Sequence, residues 1–322
     1  MDEITGGAVV RSVTSLPANA SGNKSYLVIA GPTGSGKSAL GLALAQAMGG
    51  EIVNCDSVQV YRGFDIGAAK ATSVEQKAVP HHLLDIVEAD QSYDAAVYAA
   101  AAHRVKAEIM GRGKLPIVVG GTGLYLRALL GQGWHSDLPQ DQNLREELSA
   151  LPTPQVLEEL QRRDPKRAKE LHPNDRVRLL RSLELVRLLG KPLDEAGLTG
   201  DKPRDPTAYL IVLEPPRALL HQRIQSRTIA MLDSGLIAEV QRLLSEGVSP
   251  NAKPMQSIGY KQVCAYLHGQ LQKEQVEGAI IAATRQYAKR QCTWFRRLAT
   301  DLRLNGDESL SEVITSIRSA FA

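Results

Sequence analysis

The chain has 322 residues, 43% of them hydrophobic, and its 38 Lys and Arg against 35 Asp and Glu leave a formal net charge of +3. That is enough chain and apolar content for about two folded domains, and the small net charge excludes a polycationic tail protein, so any phosphate-binding face must be argued by position. No segment approaches the roughly 20 consecutive apolar residues of a membrane-spanning helix; the alanine-rich run at residues 95–102 breaks at His103 and Arg104.

Residues 1–24 are rich in Ser, Thr, Ala, Gly and Asn, carry Asp2 and Glu3 and lack a continuous apolar stretch, so they read as a disordered tail rather than a secretory or transit signal. Tyr26-Leu27-Val28-Ile29-Ala30 reads as a strand buried on both faces, followed by a glycine-rich turn and a helix over residues 37–48. Gly49-Gly50 closes that helix, and Ile52-Val53-Asn54-Cys55 forms a second strand ending at Asp56. A helix over residues 93–110 and a buried strand at residues 115–119 follow, the strand running into Gly120-Gly121-Thr122-Gly123. Between residues 136 and 204 the β-branched runs disappear, and residues 154–163 and 175–189 show helical apolar spacing among many charges. Sheet character returns at Tyr209-Leu210-Ile211-Val212-Leu213, and helices fill residues 217–247 and 258–297 without internal repeat. The expected architecture is an α/β P-loop NTPase-like parallel sheet flanked by helices, its core formed by residues 25–135 and 205–322, with an inserted all-helical domain at 136–204.

Cys55, Cys264 and Cys292 are widely separated and show no CxxC spacing, which argues against disulfides or zinc and for a reducing, cytoplasmic compartment. His103, His221 and His268 show no ligand spacing, and His81-His82 reads as part of a structural loop.

Gly31-Pro32-Thr33-Gly34-Ser35-Gly36-Lys37-Ser38 fits GxxxxGK[ST] in full, between a predicted strand and a predicted helix as that motif requires. Inward-turned backbone amides and the helix N-terminus favour phosphate, Lys37 would contact its oxygens, and the Ser38 hydroxyl would hold Mg2+. The loop recognises a diphosphate and says nothing about a purine; most such loops serve ATP-binding kinases or other nucleotide-binding NTPases. Asp56, at the end of the second strand, is either a general base or a magnesium ligand of the ordinary NTPase kind.

Asp56-Ser57-Val58-Gln59-Val60-Tyr61 resembles the DSxQxY signature of the tRNA dimethylallyltransferase family, and further matches follow in that family's order. They are Pro80-His81-His82-Leu83-Leu84-Asp85; Gly120 to Tyr125; His172-Pro173-Asn174-Asp175 with Arg178, Arg181 and Glu184; Ser257-Ile258-Gly259-Tyr260; and Thr284-Arg285-Gln286-Tyr287-Ala288-Lys289-Arg290-Gln291. The likeness spans residues 25–300; Gly34 departs where Ala is common, and Ala68 and Ala71 stand near Lys70 where Thr and Pro are expected.

The resemblance implies transfer of a dimethylallyl group from dimethylallyl diphosphate to the N6 amine of the adenosine 3′ of the anticodon (position 37) in tRNA. Asp56 is then the base that accepts the amine proton, Thr33 meets the bridging oxygen of the leaving diphosphate, and Arg227 clamps that diphosphate, with Arg223 one helical turn away able to assist. Asp56, Ser57, Val58 and Gln59 contact an adenosine flipped from its stack, with the Gln59 amide toward the N6 and N7 edge. Thr122 and Arg145 touch the tRNA near the entrance, and Arg178, Arg181, Arg285 and Lys289 contact its anticodon stem-loop. The 285–297 stretch interleaves cations with Tyr287, Trp294 and Phe295, a mixture that suits RNA backbone plus stacked bases. The expected protein is a monomer without membrane contact. Readings from other classes are a nucleotide or small-molecule kinase with a helical lid, an NTP-regulated RNA-binding protein, and a prenyltransferase acting on free adenylate.

Overall fold

The computed structural model describes residues 24–131, 138–198, 203–306 and 308–321, so the tail reading for residues 1–24 falls almost entirely outside the described residues. Strand β1 (Tyr26–Ala30) leads through the glycine-rich loop into helix α1 (Lys37–Met48), and β2 (Gly50–Asn54) follows. Next come α2 (Ser73–Ala78), a two-residue strand β3 (His81–His82), α3 (Ala95–Gly111), β4 (Leu115–Gly120) and α4 (Gly123–Leu129). Four helices stand in succession: α5 (Gln142–Ala150), α6 (Thr153–Arg163), α7 (Pro165–Glu170) and α8 (Arg176–Leu189). The chain then forms β5 (Ala208–Leu213), α9 (Arg217–Asp233), α10 (Leu236–Ser245), a 3-10 turn at Lys253–Gln256, α11 (Tyr260–Leu267), α12 (Lys273–Phe295), β6 (Leu302–Leu304) and α13 (Leu310–Phe321).

The six strands form one sheet in the order β3-β2-β4-β1-β5-β6, every pairing parallel. Parallel strands need helical crossovers, and helices on both faces require strands apolar on both sides. Alternation along β1 sends Val28 and Ala30 into one apolar cluster with Val53, Val118 and Val212, while Leu27 and Ile29 enter another with Ile52, Ile117 and Ile211. Helices α5 to α8 close on a separate apolar cluster that includes Leu148, Val156, Leu160, Leu179 and Leu183. No helix among the described residues is long and apolar enough to cross a membrane.

Several elements differ in detail from their expected bounds. β2 begins at Gly50, which pairs with Leu115, and α3 begins at Ala95 because the Asp94 carboxylate accepts from the amides of Ala96 and Val97. The helical stretch after β5 breaks at Gly235, whose φ of 101° a helix cannot continue. His81-His82 is an edge strand rather than a loop, paired with Ile52 and Val53, and His82 Nε2 lies 2.7 Å from Glu51 Oε2.

Candidate active site

The carboxyl ends of β1, β2 and β4 converge, which is where ligands gather in open α/β sheets. The loop of residues 31–38 leads into α1, whose N-cap Gly36 (φ 96°) offers no side-chain cap, so the first-turn amides remain available to an anion. Lys37 Nζ lies 3.3 Å from the Pro32 carbonyl. Burial and then neighbouring Arg227 lower its pKa to about 8, against the opposing pull of Asp56. An arriving diphosphate would add negative charge beside this half-buried ammonium.

A residue distant in sequence fixes the loop. Gln291 on α12 accepts from the Thr33 amide through Oε1 at 2.9 Å and donates from Nε2 to the Gly121 carbonyl at 2.9 Å. One buried side chain thereby ties the phosphate loop to the turn after β4. β4 must end in glycine beside the residue that follows β2, because a Cβ on Gly120 would lie 2.0 Å from the Cys55 carbonyl oxygen.

Asp56 leaves β2 with its carboxylate held in place: Oδ1 accepts from the amides of Val58 (2.8 Å) and Gln59 (3.3 Å). The Ser57 amide donates to Thr122 Oγ1 at 3.0 Å, so Thr122 braces the strand end. Gln59 donates from Nε2 to the carbonyls of Ala68 (3.0 Å) and Ala69 (3.1 Å). Two carbonyl partners identify that atom as the amide nitrogen and leave Oε1 as the group Gln59 can offer, an acceptor suited to an amine hydrogen.

A cavity of about 450 Å³ unites these groups, with Thr33, Lys37, Ser38, Asp56, Ser57, Val58, Gln59, Gly120, Gly121 and Arg227 in its lining. Burial lowers the pKa of the Arg227 guanidinium, and Asp56 pulls it back up. Ile224, Met231, Ile258 and Ile280 supply an apolar wall. Tyr287 and Arg290 line the cavity from α12, and burial with the Asp56 charge pushes the Tyr287 phenol up to about 12. Among the described residues no group of three or more His, Cys, Asp or Glu could hold a metal ion. The phosphate loop offers hard oxygen donors in the hydroxyls of Thr33 and Ser38, and Ser38, next to Lys37, fits Mg2+, an ion that keeps most of its coordination for phosphate oxygens and water.

Other expected site residues lie elsewhere. Arg223 stands outside the cavity lining, where Nη1 donates to the Ser35 carbonyl at 3.1 Å, supporting the phosphate loop from behind. Arg145 and Arg181 both bind the buried Glu184 carboxylate, at 2.9 and 2.6 Å, in the four-helix segment. Arg178 is exposed at the start of α8, 3.8 Å from Asp175. Arg285 has its Nε buried without a hydrogen-bond partner, whereas exposed Lys289 borders a shallow depression with Gln286, Arg290 and Thr293. The expectation of RNA stacking on Phe295 is overturned, because that ring is fully buried in the main apolar cluster. Trp294 packs against Gly123, where an added Cβ would lie 3.0 Å from the indole. The sequence assigns Gln291 no role of its own and marks it only by its place inside the 284–291 motif.

Residues 59–298 match the family model described as IPP transferase. The chain is 48% identical over 278 residues to tRNA dimethylallyltransferase 1 of Trichlorobacter lovleyi, covering 84% of this chain and 90% of that protein. It is 47% identical over 278 residues to the tRNA dimethylallyltransferase of Geobacter metallireducens, covering 84% and 89%. The crystal structure of the full-length tRNA isopentenylpyrophosphate transferase from Bacillus halodurans superposes with a TM-score of 0.69 at 35% identity, over 92% of this chain and 97% of that one. A eukaryotic dimethylallyltransferase acting on tRNA superposes with a TM-score of 0.78 at 30% identity, over 92% and 77%.

Proposed function

The chain belongs to the IPP transferase family, and on that premise we infer that it transfers a dimethylallyl group from dimethylallyl diphosphate to the N6 amine of an adenosine in tRNA. The observation that carries the reading is one cavity holding a phosphate-binding loop, an apolar wall and a backbone-fixed carboxylate. A kinase needs the first of these; an isoprenoid diphosphate meeting an amine uses all three.

The adenine amine is a weak nucleophile because its lone pair is delocalised into the ring. Its attack on C1 of the prenyl group forms the N–C bond as the C–O bond to diphosphate breaks, and the bonding pair departs on the diphosphate oxygen. Asp56 accepts the amine proton through Oδ2, since Oδ1 is occupied by two backbone amides. Gln59 Oε1 accepts from the amine hydrogen and orients the base, which must leave its stack to reach the cavity. Thr33, Lys37 and Arg227 bind the diphosphate and stabilise the charge that grows on it. Mg2+ held at Ser38 would neutralise part of that charge when bound. The target is the adenosine 3′ of the anticodon, with residues 136–204, Thr122 and Lys289 meeting the stem-loop. The reading takes the protein as a monomer, and the three free cysteines suit the cytoplasm.

Labelled dimethylallyl diphosphate incubated with unmodified tRNA should yield an isoprenoid-bearing adenosine. Asp56→Ala should lower the transfer rate about 10²- to 10⁴-fold, the usual contribution of a general base, with donor affinity unchanged. Phosphate transfer from ATP without isoprenoid mass on tRNA would overturn the assignment; loss of donor binding in the variant would make Asp56 a metal ligand.

A further inference from the structure

Of the Ser257-Ile258-Gly259-Tyr260 motif, the chemistry described so far uses only Ile258, in the apolar wall. Ser257, Ile258 and Gly259 border the cavity, and Tyr260, the next residue, opens α11 with its ring fully buried. Its hydroxyl donates to Glu239 Oε1 at 2.6 Å and accepts from the Ala68 amide at 3.2 Å. Glu239, in the first turn of α10, accepts from the amides of Asp65 (3.1 Å) and Ile66 (2.8 Å) through Oε2, and from Gly67 (3.2 Å) through Oε1. Four successive backbone N–H groups of one loop thus end on one carboxylate and one phenol.

The loop lies flat on the phenol: a Cβ on Gly67 would come within 2.5 Å of Tyr260 Cε2. Immediately beyond it are Ala68 and Ala69, whose carbonyls hold the Gln59 amide. Ala69 has a φ of 45° and, across the loop, Asp85 has a φ of 54°, conformations that cost energy and persist only when surrounding contacts over-determine them. On the far side Lys70 Nζ binds the Tyr61 carbonyl (3.0 Å), Asp65 (2.6 Å) and Asp85 (2.5 Å). The loop is gripped from both sides, and what it presents to the cavity is a pair of carbonyls aimed at one side chain.

We propose that Glu239 and Tyr260 are positioning residues that act through the 65–69 backbone to fix Gln59, so that its Oε1 faces the acceptor amine. The proposal rests on the transferase reading and concerns the tRNA half of the cavity: neither residue lines the cavity itself, and their hydrogen bonds reach it through the 65–68 backbone beside Gln59. Without the clamp the Ala68 and Ala69 carbonyls drift, the Gln59 amide rotates freely, and its nitrogen can face the amine hydrogens instead of its oxygen.

The test is a pair of double-mutant cycles on single-turnover prenyl transfer, combining Tyr260→Phe and Glu239→Gln each with Gln59→Ala. Tyr260→Phe should lower kcat/KM for tRNA about 3- to 10-fold, the factor one hydrogen bond contributes, and leave the Kd for dimethylallyl diphosphate within twofold of wild type. Glu239→Gln, which sets an amide nitrogen against backbone donors, should cost more. In the Gln59→Ala background each should have less than a twofold further effect. Full additivity with Gln59→Ala, or loss of donor binding in both variants, overturns the proposal, because the residues would then act on the whole fold. Wild-type protein that leaves tRNA unprenylated overturns the transferase reading instead.

Discussion

At the scale of single residues the site depends on side chains that never meet the reacting atoms. Gln291 is the clearest case, since both ends of its amide are consumed by backbone groups of two different loops. Gln291→Ala leaves the Thr33 amide and the Gly121 carbonyl without those partners, at a cost of about 1–3 kcal/mol for each buried group that finds no substitute. In the proposed reaction Thr33 carries a donor for the leaving oxygen, so a shift there should raise the donor Kd and slow the chemical step together. About a tenfold loss in each is expected from donor titration and single-turnover rates. Gln291→Glu keeps the acceptor for Thr33 but sets a carboxylate against the Gly121 carbonyl, and should fall between; wild-type values in both variants would sink the bracing role. The sequence displayed the groups proposed to bind phosphate, because Gly31 to Ser38 carry the loop motif in eight adjacent positions. It could not display the bracing groups, since Thr33 and Gln291 are separated by 258 positions and only folding pairs them.

At the scale of elements, the strands buried on both faces were legible from their continuous apolar runs, and the phosphate loop from its place between one of them and a helix. β3 and β6 were not, being two and three residues long with no periodicity to read. The charged helices were harder to interpret: Arg145 and Arg181 look like RNA contacts in sequence, yet in the structure their first partner is Glu184. That carboxylate is almost fully buried, accepts also from the Asp141 amide at 3.2 Å, and ties α5 to α8. Burial pushes its pKa up, the hydrogen bonds from Arg181 and Arg145 push it down, and the downward pull wins. A carboxyl whose folded pKa lies below its unfolded value contributes stability above the unfolded value and loses it as pH falls through the folded one. Glu184→Gln should therefore destabilise the four-helix segment by about 1–2 kcal/mol at neutral pH, a figure reduced because both arginines are partly solvated. The gap between variant and wild type should close in acid, tRNA affinity should fall, and donor affinity should hold. Thermal unfolding at several pH values with paired binding titrations would read all three; a gap constant with pH would mean that the carboxylate charge is irrelevant.

At the scale of the whole molecule, the cavity has a closed side and an open side. Lys37 and Arg227 are half-buried in the cavity lining, where the proposed reaction places the diphosphate, while Lys289 is exposed on α12, bordering a depression that shares Arg290 with the cavity. The two kinds of cation should answer differently to salt. Buried charges are weakly screened, whereas an exposed cation that meets an RNA phosphate acts by releasing a counterion, and the affinity it adds falls steeply with ionic strength. With a net charge of only +3, the chain has no general attraction for polyanions that could mask the contribution of one residue. Lys289→Ala should weaken tRNA binding at low salt and reduce the slope of log affinity against log salt concentration by about 1, the signature of one lost phosphate contact. Dimethylallyl diphosphate binding and the single-turnover rate at saturating tRNA should stay at wild-type values. An unchanged salt slope would place the stem-loop away from this face of α12 and leave Lys289 as an ordinary solvated lysine.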